Sequence, residues 1–189
     1  MKGRLYVCRH GQSEWNLQGK LQGQLDSDLT QLGRLQAQQL SDKARHWQVT
    51  KVVSSVLGRA SHSAKICADL LQLNCHSVEG LEERHFGDWQ GQWVKQVSGF
   101  NAFKQHCYQQ LDLVPAISGE SSAEVIARMK RALISLATQN PNSNTLVISH
   151  GDALSCLMTQ WGQSMALDNT QGIQLSVENN RLHWGGFID

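Results

Sequence analysis

Two apolar runs in this chain stop abruptly. Leu5-Tyr6-Val7-Cys8 ends at Arg9-His10-Gly11, and Thr145-Leu146-Val147-Ile148 ends at Ser149-His150-Gly151. Short apolar runs bounded by polar residues and glycine read as strands buried on both faces, and such strands belong to parallel sheets covered by helices. A third run, Val52-Val53-Ser54-Ser55, precedes Arg59. Between the runs, apolar residues recur at helical spacing. Leu32, Leu35, Leu40, Ala44 and Trp47 follow Thr30 as a candidate N-cap, and Ala60, Ala64, Cys67 and Leu71 mark the next helix. Ser121-Ser122-Ala123-Glu124 has capping-box spacing ahead of Val125, Met129, Leu133 and Leu136. Leu154, Leu157 and Trp161 mark a further helix, and Ile173–Val177 with Leu182–Trp184 predict a closing hairpin around Asn179-Asn180. The alternation predicts an α/β fold, a three-layer sandwich with a largely parallel central sheet flanked by helices. Residues 80–120 lack a clear period, apart from short helices expected at Gln92–Val97 and Asn101–Leu111. They read as a lid-like insertion within a single domain over residues 1–189.

In open parallel sheets, ligands bind beyond the carboxyl ends of the strands. Two histidines and two arginines fall at three such ends. A phosphoryl group carries up to two negative charges and several acceptor oxygens. Guanidinium forks match that geometry and stay charged. A neutral imidazole is a competent nucleophile. Phosphoryl transfer through a histidine needs this set, and the glycine after each histidine would let backbone approach a ligand. The rest of the composition narrows the field. Lys and Arg number 17 against 16 Asp and Glu, a formal charge of +1 without the basic excess of a general nucleic-acid binder. No apolar run approaches bilayer length, and the four apolar residues before Arg9 are too few for a signal-peptide core. The 5 cysteines are odd in number and widely spaced, which predicts free thiols and a cytoplasmic protein without a membrane partner. No Asp/His cluster has metal-ligand spacing, so no metal and no cofactor are expected.

The motifs together carry a resemblance. Arg9-His10-Gly11-Gln12-Ser13-Glu14-Trp15-Asn16 resembles the signature of the histidine phosphatase superfamily, also called phosphoglycerate mutase-like. Gln22-Gly23, Asp28-Leu29-Thr30 with Gly33, and Ser54–Ala60 follow at family spacing. So do Leu81–Gly91, Gly119-Glu120-Ser121 and Val147–Gly151. The resemblance implies that His10 attacks phosphorus and becomes phosphohistidine, and that Arg9, Arg59 and His150 clamp the phosphoryl oxygens. It also implies that Asn16, Gln22 and the Gly151 N–H donate hydrogen bonds. Glu83 is the implied proton donor through a Leu-x-Glu pattern, with Glu82, Asp88 and Glu120 as rivals. A phosphate dianion beside a carboxyl favours its protonated form, which a general acid needs.

Rival chemistries lack their motifs. Asp26-Ser27-Asp28-Leu29-Thr30 matches the aspartate-nucleophile motif of haloacid dehalogenase-like phosphatases, but a polar, glycine-broken segment precedes it instead of a strand. No P-loop, no cysteine-phosphatase loop and no Gly-x-Ser-x-Gly occurs. The expected partner is a small-molecule phosphate ester, a sugar phosphate or a nucleotide-like phosphate such as α-ribazole phosphate; a phosphohistidine on a protein is the substrate of a different class that the residues leave open. The resemblance favours the phosphatase branch: Gln22-Gly23 and Phe86-Gly87-Asp88-Trp89 with Gly91 are similar to it, and residues 85–120 hold only Lys95 and Lys104 where the family's mutases carry basic residues for a second acidic group, although Glu14-Trp15-Asn16 and Glu83-Arg84-His85 resemble the mutases. Mutase-type transfer is the alternative, and a non-catalytic phosphate-binding module is the third reading.

Overall fold

A computed structural model describes residues 3–188. Six strands form one sheet: β1 (Leu5–Arg9), β2 (Lys51–Ser54), β3 (Cys75–Ser77), β4 (Thr145–Ser149), β5 (Gly172–Glu178) and β6 (Arg181–Ile188), in the order β3-β2-β4-β1-β5-β6. The first four are parallel, and β5 and β6 close the sheet as an antiparallel hairpin. Six helices accompany them: α1 (Glu14–Gln18), α2 (Gln31–His46), α3 (Gly58–Leu71), α4 (Phe100–His106), α5 (Ser122–Gln139) and α6 (Gly151–Met158). No helix among the described residues is long and apolar enough to cross a membrane.

Successive strand side chains point to opposite faces, so the buried strands feed two cores. Leu5, Val7, Val53 and Val147 join Val125, Met129 and Leu133 of α5 and Leu154 and Leu157 of α6. Tyr6, Cys8, Val52, Leu146 and Ile148 join Ala37 and Leu40 of α2 and Ala60, Ala64 and Cys67 of α3. This is the expected three-layer sandwich. The helices that follow the neighbouring strands β1 and β4 lie on opposite faces, so a crevice opens between those strand ends. The predicted N-cap Thr30 accepts from the Gly33 N–H, and Ser121 with Glu124 completes its capping box.

Two elements escaped the sequence reading. The strand Cys75–Ser77 is short and polar, and α1 spans 5 residues within a glutamine-rich stretch. In the weakly patterned segment, the expected helix Gln92–Val97 is a 3-10 turn over Val94–Gln96. The expected Asn101–Leu111 helix is α4, which begins one residue earlier and stops at His106. This segment is held by its own apolar cluster of Leu21, Phe86, Phe103 and Cys107.

Gly11 serves packing of the frame. A Cβ on Gly11 would stand 2.3 Å from the Gly33 carbonyl oxygen, and one on Gly33 2.0 Å from the Gln12 carbonyl oxygen. The loop after β1 and the first turn of α2 therefore touch backbone to backbone, which pins His10.

Candidate active site

His10 and His150 leave the ends of adjacent strands, where Arg9 pairs with Ser149 and the His10 N–H donates to the Ser149 carbonyl at 3.0 Å. Their rings lie 5.2 Å apart, centroid to centroid. The His10 Nδ1 sits 2.7 Å from the Gly11 carbonyl oxygen. A carbonyl can only accept, so Nδ1 carries the ring proton and Nε2 keeps its lone pair. That lone pair accepts from Arg59 Nε at 3.2 Å. Burial, then the charges of Arg59 and Arg9, push the His10 pKa well below the usual imidazole range, against a smaller opposing pull from the Gly11 bond. We expect His10 to stay neutral where an exposed histidine titrates: nitrogen NMR of the free protein will show no His10 titration between pH 6 and 8, and a titration near 6.5 would contradict this.

Arg59 is buried at the start of α3 and is oriented from three sides. Its Nη2 donates to the Gly23 carbonyl at 2.7 Å, and its Nη1 to the Leu25 carbonyl at 2.8 Å and to Asp26 Oδ1 at 3.0 Å. Asp26 also accepts from the Gly58 and Arg59 backbone N–H groups. It thus orients a cation and lies in a loop, unlike the aspartate nucleophile considered from sequence. Arg9 Nη1 donates to the Leu167 carbonyl at 2.7 Å, while Arg9 Nε is buried without a partner. Burial lowers the pKa of both guanidinium groups, opposed by the charge of Glu83. A Cβ on Gly151 would come within 3.1 Å of Arg9 Nε, so this glycine makes room for the guanidinium.

Glu83 lies at the N-terminus of α6. Its Oε1 accepts from the Arg84 and Ala153 N–H groups at 2.9 and 2.8 Å, and its Oε2 from the Asp152 N–H at 3.2 Å. Of its rivals, Glu82 accepts from the Gly80 N–H at 2.7 Å and Glu120 binds Arg128 at 2.6 Å. A cavity of about 400 Å³ gathers Arg9, His10, Asn16, Gln22, Arg59, Glu83 and Gly151 in its wall, but not Glu82, Asp88 or Glu120. His150 is also outside the wall. Its ring is fully buried, and both its nitrogens lack a partner. Burial, then Arg59 and His10, drive its pKa well below the usual range.

The two amides are oriented through their oxygens. Asn16 Oδ1 accepts from the Ser13 N–H at 3.2 Å within the α1 capping box, and Gln22 Oε1 accepts from Ser27 Oγ at 3.0 Å. The NH2 groups are then available to a ligand.

Several wall residues were missed. Asn169 donates to the His10 carbonyl at 3.0 Å, and with Leu167 it arrives on the loop before β5. Lys20 stands over the Trp93 and Trp15 rings at 4.4 and 5.1 Å. Lys104 and Tyr108 bind Asp152. Only tertiary closure brings these groups together, and no periodicity or spacing marks them. His85 is bound to the Ser118 carbonyl, outside the wall, and Trp89 packs on Phe100 and Phe103.

Known proteins resemble this chain in sequence and in fold. A family model described as the histidine phosphatase superfamily (branch 1) matches residues 5–184. A Proteus mirabilis protein named Probable phosphoglycerate mutase GpmB is 33% identical over 160 residues, covering 82% of this chain and 73% of its own length. Among solved structures, mycobacterial glucosyl-3-phosphoglycerate phosphatase with VO3 superposes with a TM-score of 0.83 at 27% identity, over 97% of each chain. A phosphoserine phosphatase variant from Entamoeba histolytica, solved with phosphoserine, gives 0.84 at 26% identity over 98% of this chain and 96% of its own. The family match runs from the first residue of β1 to within four residues of the end of β6, so strand ends, helices and closing hairpin fall under one description: the chain belongs to the histidine phosphatase superfamily.

Proposed function

We propose that this chain is a phosphomonoesterase that hydrolyses a small phosphorylated metabolite through a phosphohistidine on His10. The observation that carries the reading is the His10 ring: its proton is held by Gly11, its lone pair meets Arg59 Nε, and both residues share the cavity wall with Arg9. In the first step Nε2 attacks phosphorus, the P–O bond to the alcohol breaks, and Glu83 gives its proton to the leaving oxygen. In the second, water attacks phosphohistidine, Glu83 takes the proton, and phosphate leaves with His10 neutral again. Arg9 and Arg59 hold charge that spreads over the equatorial oxygens. His150 adds one N–H to a phosphoryl oxygen, which gives its buried ring an acceptor. Asn16, Gln22 and the Gly151 N–H complete the clamp.

The chain works as one domain in which residues 80–120 roof the cavity, since Phe86, Val94, Phe100, Lys104 and Tyr108 all line it. Five unpaired cysteines suit a reducing cytoplasm.

The similarity to proteins named as mutases favours a second reading, return of the phosphoryl group to a bound acid. Lys104 weighs against it. Its ammonium is already matched by Asp152, so it is not free to grip a second acidic group. The two solved phosphatases also favour hydrolysis. The deciding experiment is a metabolite panel that includes 3-phosphoglycerate and its 2,3-bisphosphate. We expect stoichiometric release of inorganic phosphate; phosphoryl exchange between phosphoglycerates, faster than release, would establish the mutase instead.

A further inference from the structure

We infer that Arg128 is the positioning residue for the proton donor, an assignment that rests on the role proposed for Glu83. Arg128 lies on α5, outside the cavity wall. Its guanidinium gathers the turn that carries Glu83: Nη1 donates to the Gly80 and Glu82 carbonyls at 3.1 and 2.7 Å, and Nη2 to the Glu83 carbonyl at 3.0 Å. Three carbonyls of one irregular turn are thus tied to one rigid fork.

The fork is itself fixed. Glu120 binds it in bidentate fashion, Oε1 to Nε at 2.6 Å and Oε2 to Nη2 at 2.9 Å. Glu120 also accepts from the His85 N–H at 3.2 Å, so the pair grips both sides of Glu83. Both side chains are mostly shielded, at 14% and 16% exposure, which strengthens the pair relative to a surface bridge. Gly80 permits the approach: with φ at +87°, its Cβ position lies 3.2 Å from the Arg128 carbonyl oxygen. Glu83 is therefore held at both ends, its carboxylate by the first turn of α6 and its backbone by Arg128. A donor must stand within hydrogen-bond reach of the departing oxygen, and small displacements are costly.

The test separates positioning from mere stability through the leaving group. An activated aryl phosphate, such as p-nitrophenyl phosphate, expels its oxygen without help; an alkyl phosphate needs the proton. We expect Arg128→Ala to lower kcat on an alkyl phosphate about 10- to 100-fold and on p-nitrophenyl phosphate less than about threefold. Added guanidinium should restore the alkyl reaction. Arg128→Lys, which keeps charge opposite Glu120 but lacks the fork, should show the same selectivity in a more stable fold. In a Glu83→Gln background, Arg128→Lys should add almost nothing. Equal losses on both esters in both Arg128 variants, or full additivity with Glu83→Gln, overturn the assignment. If Glu83→Gln itself is indifferent to the leaving group, the proton-donor reading fails, and this inference with it.

Discussion

His10→Ala will release no phosphate above background from any ester that the native protein hydrolyses, while its fold persists. The ring is buried, neutral and hydrogen-bonded to the next residue, and it supplies the one imidazole lone pair directed toward Arg59 at the cavity. Removing a nucleophile typically costs on the order of 10⁴- to 10⁶-fold in turnover. The fold should tolerate the loss, because β1 is anchored by its ladders to β4 and β5 and by the backbone approach of Gly11 to Gly33. Two measurements check this. Rapid quenching of the native protein with labelled substrate should trap a phosphoenzyme that is stable to base and labile to acid, absent from the variant. Circular dichroism should give superimposable spectra. A variant retaining more than a few per cent of native turnover would move the chemistry to another residue.

Asp152→Ala will be the most destabilising of the polar substitutions near the cavity. The Asp152 carboxylate stands 2.6 Å from Arg84 Nε, accepts from Tyr108 Oη at 2.5 Å, and pairs with Lys104. Arg84 is fully buried, its remaining bonds going to Ser122, Cys156 and the Glu120 carbonyl, with its face over the Phe103 ring. Without the carboxylate it is a buried cation lacking its counter-charge, a defect worth about 3–5 kcal/mol. The pH dependence follows in sign. Burial raises the Asp152 pKa, but Lys104 and Arg84 outweigh it, so the folded-state value lies well below the ordinary one. A depressed carboxyl stabilises the fold fully above its unfolded pKa of about 3.9, and loses that contribution as pH falls from there toward the folded value. Urea midpoints should therefore separate native protein from variant widely at pH 7 and less at pH 3. An equal gap at both would assign the effect to lost packing.

The sequence disclosed the frame more readily than the site. Its buried strands announce themselves by uninterrupted apolar runs, and its long helices by caps and spacing, because both signals are local. The four residues at the carboxyl ends of β1 and β4 and the start of α3 were legible for the same reason, as charge placed where a buried run stops. Gly11 was read as letting backbone approach a ligand, whereas what its missing Cβ admits is the Gly33 carbonyl of another element. Lys20, Arg128 and Asn169 were silent, and Asp26 stood out only as a candidate nucleophile and not as the partner of Arg59: each acts on a partner fixed by chain closure and not by spacing. The roof segment folds on a cluster joining Leu21 to Phe86, Phe103 and Cys107, contacts that no window of sequence contains.

The two imidazoles stand one residue beyond Arg9 and Ser149, the last pair of the parallel strands β1 and β4. Their separation is consequently set by the spacing of hydrogen-bonded chains, about 4.8 Å, with little dependence on how the flanking helices or the roof are filled. Chemistry gauged by backbone is insulated from change elsewhere. On the function proposed above, the part of the cavity wall lined by Phe86, Val94, Phe100 and Tyr108 could be rebuilt around a different alcohol, residue by residue, while the two strand ends keep their spacing, which would suit the scaffold to trading one ester for another.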